Sequence, residues 1–183
     1  MPRRVQAVVV CEDLQHDTFI RRMLKLLGYG NHQIRVVPYP DGEGCGEQHV
    51  REKYPVEVRE NRRRFNHRNG CLVTVIDADR FAVNIRHRQL NEALMNSGLP
   101  PRRQGETIAI FIPRWHIETW IHYLLSSDGL KPEDEKCSYF DGNESACHPA
   151  VDRLLAIARE MPYPSDCPPS LQLSLPELSR IPQ

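Results

Sequence analysis

The sequence predicts an α/β fold: a mainly parallel sheet of about four strands, flanked by helices. Three observations carry that expectation. Short apolar, β-branched runs (Val8-Val9-Val10, Val73-Thr74-Val75-Ile76, Ile108-Ala109-Ile110) alternate with longer stretches whose apolar residues recur every three or four positions. Glycine, proline and asparagine mark the joins. Carboxylates follow the strand-like runs, at the edge where doubly wound sheets bind ligands.

Val5–Cys11 reads as the first strand. Its apolar run is short and meets Glu12-Asp13 with no small-residue cleavage site, so Met1-Pro2-Arg3-Arg4 is only superficially signal-like and the chain reads as cytoplasmic. His16–Leu27 places Phe19, Ile20, Met23, Leu24 and Leu27 at helical spacing, with Gly28 as the stop. Gln33–Val37 is a short second strand ended by Pro38 and Pro40. Asp41-Gly42-Glu43-Gly44-Cys45-Gly46 reads as a flexible loop and lacks the Lys-Ser/Thr of a phosphate-binding P-loop. Val50–Asn66 is polar and arginine-rich, and Pro55 sets the expected helix start near itself.

Asn69-Gly70 turns the chain into a third strand, Cys71–Ile76. Phe81–Met95 is expected to be helical, with Phe81, Ile85 and Leu94 inward, and Gly98-Leu99-Pro100-Pro101 ends it. Thr107–Ile112 is the fourth strand, stopped by Pro113. Ile117–Leu125 is a helix with Trp120, Ile121, Leu124 and Leu125 apolar. A loop, a helix near Pro149–Glu160, a proline-rich tail from Met161 and a short helix over Leu175–Arg180 complete the chain, with no internal repeat.

A chain of 183 residues, 40% apolar, fits one domain with a real core and excludes global disorder. No apolar run has the length of a membrane span. None of the six cysteines forms a C-x-x-C pair. Cys11 and Cys71 fall in strands and read as reduced core residues. Cys137, Cys147, His148 and Cys167 are spaced too irregularly for a structural zinc site, and scattered thiols are the better reading. The net charge is zero, yet Arg51 to Arg68 holds seven basic residues against three glutamates. Arg62, Arg63 and Arg64 in that run suit a nucleic-acid backbone or an acidic partner; the plainer reading is a solvated helix face.

The acids after the strands are the main chemical signal. The first strand ends in Glu12-Asp13, the third in Asp77-Ala78-Asp79-Arg80, and Glu118 follows the fourth. In extended chain, residues two apart point the same way, so Asp77 and Asp79 are expected to aim at one point. Each acid alone is commonly a helix cap or turn residue. Together they suggest a site for Mg²⁺ or Mn²⁺, and such a site points to phosphodiester chemistry. Arg80 and Arg114 flank the acids and read equally as phosphate-binding groups or structural ion pairs. His116 reads first as a polar residue at a helix start and second as a proton shuttle, and the same caution covers His16. Trp120 reads as core, and Trp115 is the better base-stacking candidate.

These residues resemble a Toprim domain, the catalytic module of topoisomerases, bacterial primases and OLD-family nucleases. Val8-Val9-Val10-Cys11-Glu12, followed by Asp17 and Phe19, resembles the Toprim opening. Val75-Ile76-Asp77-Ala78-Asp79 resembles its Asp-x-Asp motif. Ile112–Trp120, which contains Glu118-Thr119-Trp120, resembles the Glu-x-Trp segment of stand-alone, RloB-like Toprim proteins of bacterial defence systems. The likeness covers roughly residues 5–125. Asp13 departs from it, standing where many members have glycine; it alters the turn or adds a ligand.

The resemblance implies a Rossmann-like Toprim fold over residues 1–126; it does not extend to 127–183, which are expected to form a small C-terminal helical extension packed on the same domain, with a proline-rich tail. It implies a Mg²⁺- or Mn²⁺-dependent nuclease acting on DNA or RNA, in a defence or DNA-processing system beside a separate ATPase. By the same likeness Glu12 is a metal ligand or general acid/base, Asp77 and Asp79 are metal ligands, and Glu118 completes a second metal position. The alternative is a non-catalytic subunit that binds nucleic acid or protein. A third, weaker reading is a phosphotransferase or phosphatase acting on a small nucleotide.

Overall fold

The computed structural model describes residues 6–40, 46–64, 70–126, 133–134 and 143–183. The strands β1 (Ala7–Val10), β2 (Ile34–Val36), β3 (Cys71–Val75) and β4 (Ile108–Phe111) form one sheet in the order β2-β1-β3-β4. Every neighbouring pair is parallel. Parallel pairing needs long crossovers, supplied here by α1 (Leu14–Leu26), α2 (Gly46–Arg64) and α3 (Val83–Asn96). After β4 come α4 (Ile117–Leu125), α5 (His148–Ile157) and α6 (Pro169–Ser174). The architecture is a Rossmann-like α/β fold.

The chain winds outward from β1 to β2, returns through α2 to β3, and winds outward the other way to β4. The winding therefore reverses between β1 and β3. In open α/β sheets the crevice beyond the carboxyl ends of such strands is the usual ligand site.

The strands sort their residues by a period of two. Ala7, Val9, Cys71, Val73, Val75, Ala109 and Phe111 face one apolar layer with residues of α1, α4 and α5. Val10, Leu72, Ile76, Ile108 and Ile110 face the other with residues of α2 and α3. With both faces covered, all of β3 is buried, which explains its unbroken apolar run. Cys147, Leu154, Cys167, Leu171, Leu175 and Ile181 belong to the first layer, so the C-terminal segment completes that face. Glu177 Oε2 accepts a hydrogen bond from Ile110 N–H at 2.9 Å, on the edge strand β4.

Several elements differ from expectation. α2 begins at Gly46 and runs through Pro55. Val50, Tyr54 and Val58 recur every four residues and are fully buried, and packing that stripe outweighs the ~3 kcal/mol a mid-helix proline costs. α3 begins at Val83 and turns Arg86, Leu90 and Leu94 inward; Phe81 and Ile85 are half-buried. The proline-rich tail contains α6, and Leu175–Arg180 is a 3-10 helix. Cys11, Cys71, Cys147 and Cys167 are buried free thiols. Burial pushes the Cys147 and Cys167 thiols up to about 11. Cys45, Cys137, Arg68, Asn69 and the acids Asp41 and Glu43 lie outside the described residues.

Candidate metal centre

Beyond β1 the chain turns into α1 through Cys11, Glu12 and Asp13. Asp13 is the N-cap: its Oδ1 accepts a hydrogen bond from His16 N–H at 2.9 Å. The cap fixes the first turn and brings His16, wholly buried, back over the strand end. His16 Nε2 lies 3.0 Å from Asp77 Oδ1. Because β1 and β3 are adjacent and parallel, Glu12 reaches Asp77, and its Oε1 accepts from Asp77 N–H at 2.6 Å. One ligand atom from each of Glu12, His16 and Asp77 lies within 4.8 Å of the others.

Two further elements hold this group. α2 starts directly on Glu12, where a Cβ at Gly46 would fall 2.7 Å from Glu12 Cβ and 3.1 Å from its Oε2. Such an approach leaves room only for glycine. Arg86, 2% exposed, comes from α3. Its Nε donates to the Asp77 carbonyl at 2.8 Å and its Nη2 to Asp79 Oδ2 at 2.9 Å. Its Nη1 donates to Glu47 and to Gln89 Oε1.

The group is electrostatically crowded. Desolvation, then the Asp77 charge, pushes the Glu12 carboxyl up to about 8, against the opposing pull of His16 and of the Asp77 N–H. Burial raises Asp77 too, with His16 opposing. For His16, burial disfavours the imidazolium, but the charge and hydrogen bond of Asp77, with Asp13 and Glu12, more than offset it and raise the ring to about 10. The neutral ring is also well defined. Glu12 N–H lies 3.4 Å from Nδ1, which needs a lone pair there and leaves the proton on Nε2 toward Asp77. In the imidazolium, Nδ1–H faces Asp13 Oδ1 at 3.9 Å instead. With the ring neutral, the carboxylates of Glu12, Asp77 and Asp79 exceed the single charge of Arg86, and protons or a divalent ion balance them. Two carboxylates and an imidazole at the switch point fit a divalent metal.

The other expected residues fall into separate roles. Asp79 does not join the group. Its backbone is left-handed, φ 49°, and its N–H donates to Trp115 O at 2.8 Å in an isolated antiparallel bridge. That turn ends the extended geometry on which a shared aim with Asp77 depended, and the carboxylate goes to Arg86. Asp79 still sits near enough to raise the Glu12 carboxyl. Glu118 Oε2 lies 2.9 Å from His116 Nδ1. Burial raises the Glu118 carboxyl, but the bond and charge of His116, with His16 beyond, lower it overall. His116 is the N-cap of α4 by backbone only; its side chain makes no capping bond, and its Nε2 is enclosed without a partner among the described residues.

Arg114 makes internal contacts. Its Nη1 donates to the carbonyls of Asp79 and Phe81, and its guanidinium stacks 3.9 Å from the Trp115 ring centroid. Trp115 Nε1 donates to Glu133 O at 3.1 Å, so the ring is held on one face and at its N–H edge. Trp120 is buried core, donating to Ser170 Oγ at 2.7 Å. Arg80 is exposed over the Phe81 ring.

Arg62 donates to both Glu106 oxygens at 2.6 and 3.0 Å and to the carbonyls of Pro100 and Pro101. Arg63 and Arg64 pair with Glu60 on the exposed end of α2. The triplet lies at the other end of α2 from Gly46, roughly 24–27 Å away at a rise of ~1.5 Å per residue. The basic run and the acidic group therefore occupy opposite ends of α2. A cleft of about 440 Å³ lined by Asn61, Leu99 and Arg103 also lies at that far end.

Sequence reasoning gave His16 too little weight and missed Arg86, Glu47 and Gly46. The signal for His16 was its place one turn after a strand-end acid, directly behind an N-capping aspartate. Arg86 and Gly46 carried no such signal, because a strand crossing and a helix start decide where they lie. Comparison with family models, curated proteins and solved structures returns no match to this chain.

Proposed function

We propose that this chain is a metal-dependent nuclease of Toprim type that cleaves phosphodiesters of DNA or RNA. The observation that carries the reading is the meeting of Glu12 and Asp77, with His16, at the carboxyl ends of the two central strands. Glu12 and Asp77 hold the divalent ion, which we take as Mg²⁺ or Mn²⁺. When bound, that ion polarises a phosphoryl oxygen and offsets the charge that builds on it. Arg86 fixes the Asp77 backbone and keeps Asp79 at the rim. Glu118 orients His116 through Nδ1. Arg80, exposed beside Asp79, faces an incoming polyanion. Cytoplasmic action in a defence or DNA-processing system, beside a separate ATPase, belongs to the same reading. Among the described residues no helix is long and apolar enough to cross a membrane.

The test is incubation of the protein with plasmid DNA and with RNA in Mg²⁺ or Mn²⁺, alongside Asp77→Ala. Metal-dependent cleavage that the variant lacks is expected. Absence of cleavage in both metals, or equal cleavage by the variant, would sink the reading for the isolated chain. One observation favours a second reading, a non-catalytic subunit of such a complex: Arg62 and Arg114 are spent on internal bonds. Metal binding without turnover, even with an ATPase partner added, is its signature.

A further inference from the structure

We propose that His16 is itself a metal ligand, through Nε2, and that the centre selects transition-series divalent ions such as Mn²⁺ over Mg²⁺. The inference rests on the metal-centre reading above and concerns which ion the site takes.

Three observations carry it. First, the closely grouped donors are two carboxylates and one imidazole. Asp79 is bonded to Arg86, so no all-oxygen set built on Asp77 and Asp79 forms here. Imidazole nitrogen suits transition ions, whereas Mg²⁺ favours oxygen donors and gives up its water reluctantly. Second, the 3.0 Å separation of His16 Nε2 and Asp77 Oδ1 equals the edge between neighbouring ligands of an octahedral ion at ~2.1 Å, since ~2.1 × √2 is about 3.0 Å; this bears on His16 as a ligand and not on the choice between Mn²⁺ and Mg²⁺. The pair can accept an ion with little movement. Third, a ligating histidine normally donates its other ring N–H to a carboxylate. Asp13 Oδ1 stands 3.9 Å from Nδ1 on a half-exposed side chain, and a small rotation closes that gap. With Nε2 on the ion, Nδ1 carries the ring proton, and a proton held on Nε2 is released to solvent. The contact from Glu12 N–H is replaced by one to Asp13. Asp13 thus acts as a positioning residue for His16.

Binding measured without substrate tests this. Isothermal titration with Mn²⁺ and with Mg²⁺ is paired with pulsed EPR of the Mn²⁺-loaded protein. Tighter Mn²⁺ binding is expected, with a ¹⁴N coupling from directly bound imidazole. His16→Gln loses the coupling and at least about tenfold in Mn²⁺ affinity, with a smaller loss for Mg²⁺. Asp13→Asn, which keeps a capping oxygen, loses about 10–100-fold in Mn²⁺ affinity with the fold intact by circular dichroism. Bound Mn²⁺ without nitrogen coupling in the wild type, or Mg²⁺ binding as tight as Mn²⁺, overturns the inference whatever the variants do. Cleavage with an all-oxygen ion signature would leave the nuclease reading standing and remove this one. A nitrogen-coupled ion without cleavage would do the reverse.

Discussion

Arg86 and Glu12 show how single side chains are held against their own chemistry. Arg86 is a buried cation whose donors reach two carboxylates and the Asp77 carbonyl. Truncating one member of a buried charged network leaves the others uncompensated, which costs about 3–5 kcal/mol. Arg86→Met is therefore expected to lower unfolding free energy by that order in a urea titration, with metal affinity reduced as Asp77 loses its anchor. Glu12 gives a pH dependence. Its folded carboxyl is raised from 4.5 to about 8, so the native state keeps a proton that the unfolded chain has released. His16, raised from 6.5 to about 10, acts with the same sign. Their stabilisation is complete below the unfolded values and is lost as pH rises, across 4.5 to 8 for Glu12 and 6.5 to 10 for His16. The Tm of the metal-free protein is expected to fall over that window. Saturating Mn²⁺ replaces the protons, so its stabilising effect should grow with pH; a metal-induced Tm shift that shrinks as pH rises would contradict this.

At the scale of elements, α2 joins two regions and serves each differently. Its first residue, Gly46, allows the helix to start against Glu12. Gly46→Ala puts a Cβ onto Glu12 Cβ. The expected result is a lowered Tm with metal affinity down by about tenfold, a loss of the order seen when support of a ligand is disturbed. Its last turn carries Arg62, which clamps Glu106 and two proline carbonyls. Arg62→Ala is expected to cost about 1–3 kcal/mol in stability and to leave metal affinity unchanged, because the site is a helix length away. Equal loss of both would place Arg62 nearer the centre than the geometry does. Pro55 and the stripe Val50, Tyr54, Val58 explain why this helix was hard to read: a local breaker competes with a periodic face, and the sheet to which that face docks decides between them.

For the whole molecule, the C-terminal segment is part of the core. Leu171, Leu175 and Ile181 are buried in the layer that also holds Phe19 and Val73. Glu177 covers the edge of β4 and pairs with Arg102. Deleting residues 161–183 should expose that layer and yield an aggregated chain in gel filtration; a monomeric, folded truncation would show the layer to be dispensable. The four strands were legible because β-branched runs between glycines and prolines carry their own periodicity, and parallel pairing followed from the intervening helices. The tail was legible only in part: a short helix was expected over Leu175–Arg180 and is present there as a 3-10 helix, while the prolines hide α6.

Sequence by itself determined the α/β alternation, the strands, and the presence of Glu12, Asp77 and Glu118 at the sheet's carboxyl rim. Those properties are local: they depend on apolar period, turn residues and the chain direction after each strand. Only the tertiary structure decided which acids meet. Parallel pairing of β1 and β3 joins Glu12 to Asp77, and the Asp13 cap adds His16. A left-handed turn hands Asp79 to Arg86, while Glu118 goes to His116. Two acids one residue apart in sequence were separated because a single positive φ reverses a side chain's direction, and that angle is set by a bridge to Trp115, far along the chain.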